Sequence, residues 1–179
     1  MRPNRSLFST LGIAASLFAA LALAVPLPAL AQDAADPAEV VRRYVDQVLN
    51  EDRLDLLPAL VAADRVDGFR KNLELRRAVF PDLRYRIEEM VSEGGRVVVR
   101  CMVTGHHVGD DPSKMPGGGV LPPSGNRLET EEALFYTVED GRITRGEIVS
   151  DQLEVVKALG FTVVPPEGYE KGKKGEERR

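Results

Sequence analysis

The hydrophobic period of this chain changes once, near Pro81, from helical spacing to strand alternation. Apolar residues recur three or four apart in three early stretches, 37–50, 54–60 and 68–79. Apolar and polar residues then alternate in four later stretches, 83–91, 96–107, 128–138 and 143–150. Helices followed by hairpin-connected strands predict an α+β fold. A curved antiparallel sheet wrapped on three N-terminal helices would be cone-shaped and enclose a pocket.

Local signals mark where these elements begin and turn. Asp36 and Pro37 suit the N-cap and the first position of the first helix, and Asp67 is expected to cap the third. Residues 93–96 and 139–142 each hold a glycine-containing pair between two strands. Both therefore predict tight hairpins.

Residues 1–31 have the three parts of a secretory signal peptide. Arg2 and Arg5 supply a positive start, residues 11–25 are apolar, and residues 29–31 form a small-x-small cleavage site. An uncleaved membrane anchor is the alternative, but a short apolar stretch followed by prolines favours cleavage. We therefore expect export through a Sec-type signal peptide to the periplasm or the extracellular medium.

The rest of the chain is predicted to form one domain, residues 32–164, and a disordered charged tail, residues 165–179. Cleavage changes the formal net charge from −4 to −6 because two arginines leave. Basic residues are not concentrated on one face, so neither nucleic acid nor, after cleavage, a membrane is an expected partner. Cys101 is the only cysteine, which excludes an internal disulfide and a cysteine metal cluster.

Strand alternation assigns the two histidines to opposite faces of the second strand. Odd positions from 97 to 107 are the apolar ones, so His107 is expected to point inward and His106 outward. Neighbours that point apart cannot chelate one ion as a pair, and no metal is expected. His107 is a candidate for proton transfer, and an inert, hydrogen-bonded histidine at the sheet rim is the alternative.

The third strand places a carboxylate in an apolar row. Its inward positions include Glu132 and Tyr136, which we take as candidate substrate contacts. A carboxylate in such a setting suits proton-transfer chemistry. The alternative is that the end of the strand is solvent-exposed and Glu132 is a surface residue without a functional role.

The fourth strand leads into a last short helix. We expect Arg145 and Glu147 to share a face with Ile143, so both are further candidate substrate contacts. Asp151 lies where the strand enters the helix, and its carboxylate would border the pocket. Asp151 with Glu154 three residues later also has the spacing of a capping box, so a purely structural role is the alternative.

Five short motifs occur in a fixed order along the chain. They are Phe80-Pro81-Asp82-Leu83, Thr104-Gly105-His106-His107-Val108-Gly109, Pro122-Pro123-Ser124-Gly125, Asp140-Gly141-Arg142-Ile143, and Asp151 with Leu159-Gly160. Together they resemble the SnoaL-like polyketide cyclase and ester cyclase family over about residues 37–160. The resemblance implies the cone-shaped fold of the nuclear-transport-factor-two-like proteins and a cyclase that needs no cofactor.

The resemblance also implies roles for two residues. Asp151 matches the family aspartate that acts as acid and base in an intramolecular aldol ring closure. His107 matches a family histidine, which could hydrogen-bond the developing enolate oxygen or tune the carboxylate. Three features depart from the family: Glu147 stands where tryptophan is usual, the strand between the second and third helices is shortened to 62–67, and the loop 109–121 is longer.

Two functions fit these observations. The first is an exported, cofactor-free cyclase or isomerase-type enzyme that acts on a small carbonyl-containing substrate through Asp151 and His107. The second is a non-catalytic pocket protein, periplasmic or secreted, that binds a small apolar or aromatic carbonyl ligand. Either protein could form a homodimer through the outer face of its sheet.

Overall fold

The computed structural model describes residues 35–112, 119–162 and 164. All of them belong to one unit of the chain, Asp33–Arg179. The predicted signal peptide and the predicted disordered tail, residues 1–31 and 165–179, lie outside the described residues, so both stay predictions.

Helices come first and the sheet second, which confirms the α+β fold. The helices are α1 (Pro37–Arg43, continued by a π-helix, Tyr44–Asn50), α2 (Leu57–Leu60, preceded by a 3₁₀ turn, Leu54–Leu56), α3 (Val66–Val79) and, after the sheet, α4 (Gln152–Ala158). The strands are β1 (Arg84–Glu93), β2 (Arg96–His106), β3 (Arg127–Glu139) and β4 (Arg142–Ser150). They form one curved antiparallel sheet in the order β1-β2-β3-β4. No helix in the described part of the chain is long and apolar enough to cross a membrane.

The first helix is anchored at both of its ends. Asp36 accepts a hydrogen bond from the Ala38 amide at 3.1 Å, as an N-cap should. The sequence predicts one α-helix up to Asn50, whereas the structure widens into a π-helix from Tyr44 onwards. The Asn50 side chain then exchanges two 2.8 Å hydrogen bonds with the backbone of Tyr85, which ties the helix end to β1.

The third helix begins slightly earlier than its sequence predicts. Arg65 is the N-cap residue and makes no capping side-chain bond, so the expectation that Asp67 caps α3 is wrong. Asp67 instead lies in the first turn, where its negative charge favours the positive end of the helix dipole.

Both predicted hairpin turns are confirmed. Gly94 and Gly95 have φ angles of 53° and 80°, and Asp140 and Gly141 have φ angles of 49° and 72°. Two successive positive φ angles are what a type I′ turn requires, because that turn matches the twist of its strands. The turns therefore set the register of the sheet.

One bulge changes which residues of β4 face the helices. Thr137 pairs with Arg145 but Val138 pairs with Ile143, so Thr144 is an extra residue. Beyond it the inward residues of β4 pair with inward residues of β3: Gly146 with Tyr136, Ile148 with Leu134, and Ser150 with Glu132. The expectation that Arg145 and Glu147 share a face with Ile143 is therefore wrong.

The core lies between the concave face of the sheet and the three N-terminal helices. It is completed by one parallel bridge between Val61 and Ile143, and the Ala62 amide donates to the Ile143 carbonyl at 2.9 Å. The bridge lies just before residues 62–67, where the sequence predicts a shortened strand; that prediction is wrong, because residues 63–65 form a turn and α3 begins at Val66. The fully buried side chains of the core include Val41, Val45, Leu57, Val61, Val97, Val99, Cys101, Val103, Leu134 and Ile143.

Candidate functional site

A cleft of about 460 Å³ opens between α3, the ends of β3 and β4, and α4. Apolar side chains make most of its wall: Leu75, Val79, Phe80, Leu128, Ile148 and Val155. Polar residues complete the lining: Arg76, Asp111, Glu132, Ser150 and Gln152. The cleft therefore suits a mainly apolar molecule that presents a few hydrogen-bonding atoms.

A buried ion pair lies in the lining of the cleft. Glu132 is only 5% exposed, which confirms the inward orientation expected from strand alternation. Arg76, in the last turn of α3, donates from Nη2 to both carboxylate oxygens, at 3.0 and 3.3 Å. A carboxylate this buried needs such a partner, because an isolated charge loses its hydration without compensation.

Arg76 also lies against an aromatic ring. Its guanidinium carbon is 5.6 Å from the centre of the Tyr85 ring, which is a cation–π distance. Burial works against the charge of Arg76, but Tyr85, Glu132 and Tyr136 outweigh it and hold the guanidinium pKa above its ordinary value. The Nε atom of Arg76 is buried and has no hydrogen-bond partner among the described residues. One donor of the guanidinium is thus unsatisfied.

A second, smaller cavity adjoins the first. We call it the inner chamber; it measures about 90 Å³ and shares Arg76 and Ile148 with the cleft. Its aromatic lining comprises Tyr44, Phe69, Tyr85 and Tyr136. The Tyr44 ring meets those of Phe69 and Tyr136 edge to face, at 5.8 and 5.6 Å between ring centres. The structure thus brings the predicted substrate contact Tyr136 to a cavity on the concave face.

A glycine of β4 keeps the inner chamber open. A Cβ atom added at Gly146 would lie 3.1 Å from both the Phe69 ring and the Tyr136 ring. This spacing is tighter than ordinary van der Waals contact. Because Gly146 pairs with Tyr136 across the sheet, a side chain there would fill the space beside the ring.

Asp151 is the N-cap of α4. Its Oδ1 atom accepts from the amides of Leu153 and Glu154 at 3.0 and 3.1 Å, and the side chain is exposed. Its chain neighbours Ser150 and Gln152 line the cleft, whereas Asp151 is not among the lining residues. The capping role is therefore a finding, and the acid/base role of Asp151 stays a prediction.

His107 is fully buried just after β2, as strand alternation predicts. Its Nδ1 atom accepts from the Ser124 amide at 3.3 Å and lies 3.2 Å from the Ser124 hydroxyl, so the neutral ring carries its proton on Nε2. The ring centre is 5.4 Å from that of Phe80, which lines the cleft, and 6.3 Å from that of Phe161. His107 itself is not a lining residue, so its catalytic role stays a prediction.

His106 points to the opposite side of the sheet. It is exposed and lies 2.6 Å from the Asp82 carboxylate. The two histidines therefore diverge, as expected. Among the residues that the structure describes, no cluster of three or more histidine, cysteine, aspartate or glutamate side chains could hold a metal ion.

Arg145 and Glu147 lie on the outer face of the sheet. Their side chains form an ion pair with each other, with Arg145 Nε 2.8 Å from Glu147 Oε1, and both are exposed. Glu147 also borders the inner chamber at its edge, whereas Arg145 lines a hollow on the outer face with Arg96 and Phe135. The structure thus separates Arg145 from the cleft.

Arg76 is the candidate site residue that sequence reasoning missed. Leu73, Arg76 and Val79 are three apart, so they share a helix face, and both apolar members are buried. That spacing was the available signal, because a charged residue inside a buried stripe needs a partner. With Glu132 beside it, Arg76 supplies a cation next to a base, an arrangement that can stabilise an enolate as it forms.

Comparison with known proteins agrees with this fold. A family model for the SnoaL-like polyketide cyclases matches residues 38–159. A SnoaL-like polyketide cyclase from Agrobacterium tumefaciens str. C58 is 26% identical with a TM-score of 0.60, over 70% of this chain and 99% of that one. A search of the curated proteins found no match.

Two Streptomyces structures share the fold at lower identity. IdmH from Streptomyces antibioticus, a candidate polyketide cyclase, is 22% identical with a TM-score of 0.57, over 71% of this chain and all of that one. TsrD from Streptomyces laurentii is 20% identical with a TM-score of 0.57, over 68% of this chain and 92% of that one. Since the family model spans more than half of the sequence, the chain belongs to the SnoaL-like polyketide cyclase family.

Proposed function

We propose that this protein is a cofactor-independent cyclase or isomerase-type enzyme that acts on a small carbonyl compound by acid/base chemistry. The observation that carries the proposal is the Arg76–Glu132 pair in the lining of a cleft with apolar walls. Membership of a cyclase family supports the same reaction class.

The lining limits the substrate to an apolar or aromatic molecule with a carbonyl group. Six apolar side chains line the cleft beside the Arg76–Glu132 pair, whose charges cancel, and Asp111 adds a second carboxylate to the lining. The apolar walls would exclude water from the apolar part of the substrate, while its neutral carbonyl oxygen would accept a hydrogen bond from the guanidinium of Arg76. A strongly anionic body would have to displace Glu132 from Arg76, which disfavours it.

The proposed step moves one proton and needs no external oxidant. Glu132 takes a proton from the carbon beside the carbonyl; the C–H electron pair forms a C=C bond, and the carbonyl π pair moves to oxygen. The resulting enolate attacks a second carbonyl of the same molecule, closing a ring, or regains a proton at another carbon. Glu132 then returns its proton to the new alkoxide or to carbon. Atoms and charge balance without a cofactor.

Deuterium exchange tests this proposal. The protein is incubated in D2O with a panel of aromatic ketones, starting with acetophenone and α-tetralone, and loss of the α-proton signal is followed by NMR. We expect faster exchange than in buffer for at least one ketone, and a loss of about 100-fold or more in Glu132→Gln. Glu131→Gln is the matched control, because Glu131 is the next residue on β3, faces outward and pairs with Arg100. Buffer-level exchange across the panel would reject the proposal.

A non-catalytic pocket protein is the second candidate. It is favoured by the placement of Asp151, whose carboxylate caps α4 and does not line the cleft. This function predicts that α-tetralone binds, as measured by calorimetry, while its α-protons exchange no faster than in buffer. Binding with exchange, by contrast, identifies the enzyme.

We further propose that the chain is exported. The support is the positive, apolar and small-x-small order of residues 1–31. Expression of the full chain followed by N-terminal sequencing of the product should give a start at Gln32. A product that keeps residues 1–31 and stays with the cytoplasmic fraction would contradict export.

A further inference from the structure

We propose that Arg76, Tyr85 and Tyr136 form an oxyanion-binding subsite, in which the inner chamber receives the substrate oxygen while the cleft holds the substrate body. This inference rests on the proposed function and specifies how the carbonyl enters. It requires that hydrogen-bond donors converge on the chamber and that they are available to a ligand. It also requires that the chamber admits an oxygen atom but excludes the larger part of the substrate.

The donors converge on one small space. Arg76, Tyr85 and Tyr136 all line the inner chamber, and Arg76 also lines the cleft. The three side chains are close enough to influence one another's ionisation. Tyr85 is held in place by Asn50, which bonds its backbone amide and carbonyl at 2.8 Å each. The backbone of Tyr136 is held by pairing with Val97 between the two central strands, β2 and β3.

Glu132 occupies Nη2 of Arg76, but other donors of the three residues are free of hydrogen bonds among the described residues. Arg76 Nε has no partner among the described residues. No hydrogen bond among the described residues involves the Tyr85 or Tyr136 hydroxyl, and the two residues are 5% and 7% exposed. A guanidinium has no acceptor, and a phenol that stays protonated donates readily, so an oxygen that gains negative charge is the complementary group.

Burial keeps the phenols in their donor form. It raises the pKa of Tyr85, despite the opposing effect of Arg76, and raises that of Tyr136 well above its ordinary value. Both hydroxyls therefore remain protonated across the physiological range. They act as hydrogen-bond donors and not as bases.

The chamber is shaped for a narrow group. At about 90 Å³ it is a fraction of the cleft, and a side chain at position 146 would crowd the Phe69 and Tyr136 rings that line it. Asn72 and Glu147, which are exposed, lie at its edge. An unbranched carbonyl end can thus enter oxygen first, leaving its α-carbon beside Arg76 and Glu132. This geometry selects aryl or alkyl ketones with an unhindered carbonyl.

The charge state of the intermediate decides how the subsite is probed. Once Glu132 has taken the proton it is neutral and no longer holds Arg76 by charge. Glu132→Gln imitates that state, because it removes the negative charge that competes with the enolate oxygen for the guanidinium. The probe is 4-nitrophenol, whose phenolate is an oxyanion on an aromatic ring and is visible by absorbance.

The experiment titrates 4-nitrophenol into Glu132→Gln above and below the pKa of the free phenol. We expect the bound probe to ionise at a pH at least about one unit lower than the free probe. Adding Tyr85→Phe or Tyr136→Phe should weaken phenolate binding about tenfold and change binding of the neutral phenol little. Gly146→Ala should weaken binding of both the phenolate and the neutral phenol, because the added methyl group narrows the chamber.

Controls keep structural damage apart from loss of the subsite. Arg77→Lys changes the neighbouring arginine of α3, which bonds the Leu83 carbonyl and does not line either cavity. Each variant is checked by circular dichroism and thermal melting. Arg76→Lys, which replaces the guanidinium with an ammonium group, should also weaken phenolate binding. If that variant fails to fold, the tyrosine variants still carry the test, since phenylalanine keeps the ring.

The outcomes separate this inference from the proposed function. Preference for the neutral phenol, or phenolate binding unchanged in both folded tyrosine variants, overturns the subsite even if ketones exchange. Phenolate preference that depends on both tyrosines, together with ketone exchange at the buffer rate, upholds the subsite and rejects the proposed reaction.

Discussion

Removing Arg76 should reveal how strongly the cleft depends on its ion pair. The Glu132 side chain is 6% exposed and that of Arg76 is 29% exposed. Breaking a buried pair by removing one partner costs about 3–5 kcal/mol, because the other charge stays buried and unpaired. Since Arg76 is partly exposed and its removal admits water, we place Arg76→Leu at the lower end, about 3 kcal/mol.

A compensating substitution separates the two contributions to that loss. In Arg76→Leu with Glu132→Leu, neither charge remains, and β3 gains an apolar residue two positions from the buried Leu134. We therefore expect the double variant to recover about 2 kcal/mol of the loss. The recovery would show that the unpaired carboxylate, more than the lost contact, destabilises the single variant.

Urea and thermal unfolding followed by circular dichroism measure both effects. For a domain of this size, about 3 kcal/mol corresponds to a fall in Tm of about 6–12 °C. The reasoning fails if Arg76→Leu costs less than about 1 kcal/mol, which is the range of surface pairs. It fails equally if the double variant is no more stable than the single one.

Three further predictions concern stability. Hydrogen bonds from His106 lower the pKa of Asp82, so Asp82→Asn should lower the free energy of unfolding by about a few tenths of a kcal/mol near pH 7. The loss should shrink as acid protonates Asp82 in the wild-type protein, and urea unfolding at several pH values would measure it. Burial raises the pKa of the inner-chamber tyrosines above their ordinary value of 10.0. The unfolded chain therefore loses these protons first, and the contribution of these tyrosines to the free energy of unfolding should be constant below pH 10.0 and fall above it. A Tm that stays constant above that pH would contradict this. Gly109→Ala should destabilise the protein strongly, because the added Cβ would lie 2.1 Å from the Ala78 carbonyl oxygen. Gly68→Ala has open space around it and should stabilise α3 by about 1 kcal/mol. Equal melting temperatures for the two variants would refute the difference.

Periodicity and turn chemistry were enough to predict most of the fold. Alternation assigned His107 and Glu132 to the inner face because β2 and β3 pair without interruption along their length. The two glycine-containing turns were predictable because positive φ angles restrict the residues that can occupy them.

Elements that depend on distant contacts could not be predicted. The bulge at Thr144 leaves no mark in the pattern of β4, yet it moves Arg145 and Glu147 to the outer face. The partner of Arg76 is 56 residues away, so only the folded sheet identifies it as Glu132. Asp151 had the spacing of a cap, and its amide contacts with α4 agree with that alternative.

The most direct test of the central claim compares two carboxylates in one assay. α-Deuterium exchange of the most reactive ketone is measured for wild type, Glu132→Gln and Asp151→Asn, each checked for folding. If the cleft carboxylate is the base, Glu132→Gln loses about 100-fold or more while Asp151→Asn stays within a few-fold of wild type. A large loss in Asp151→Asn with Glu132→Gln near wild type would contradict this account and move the base to the N-terminus of α4.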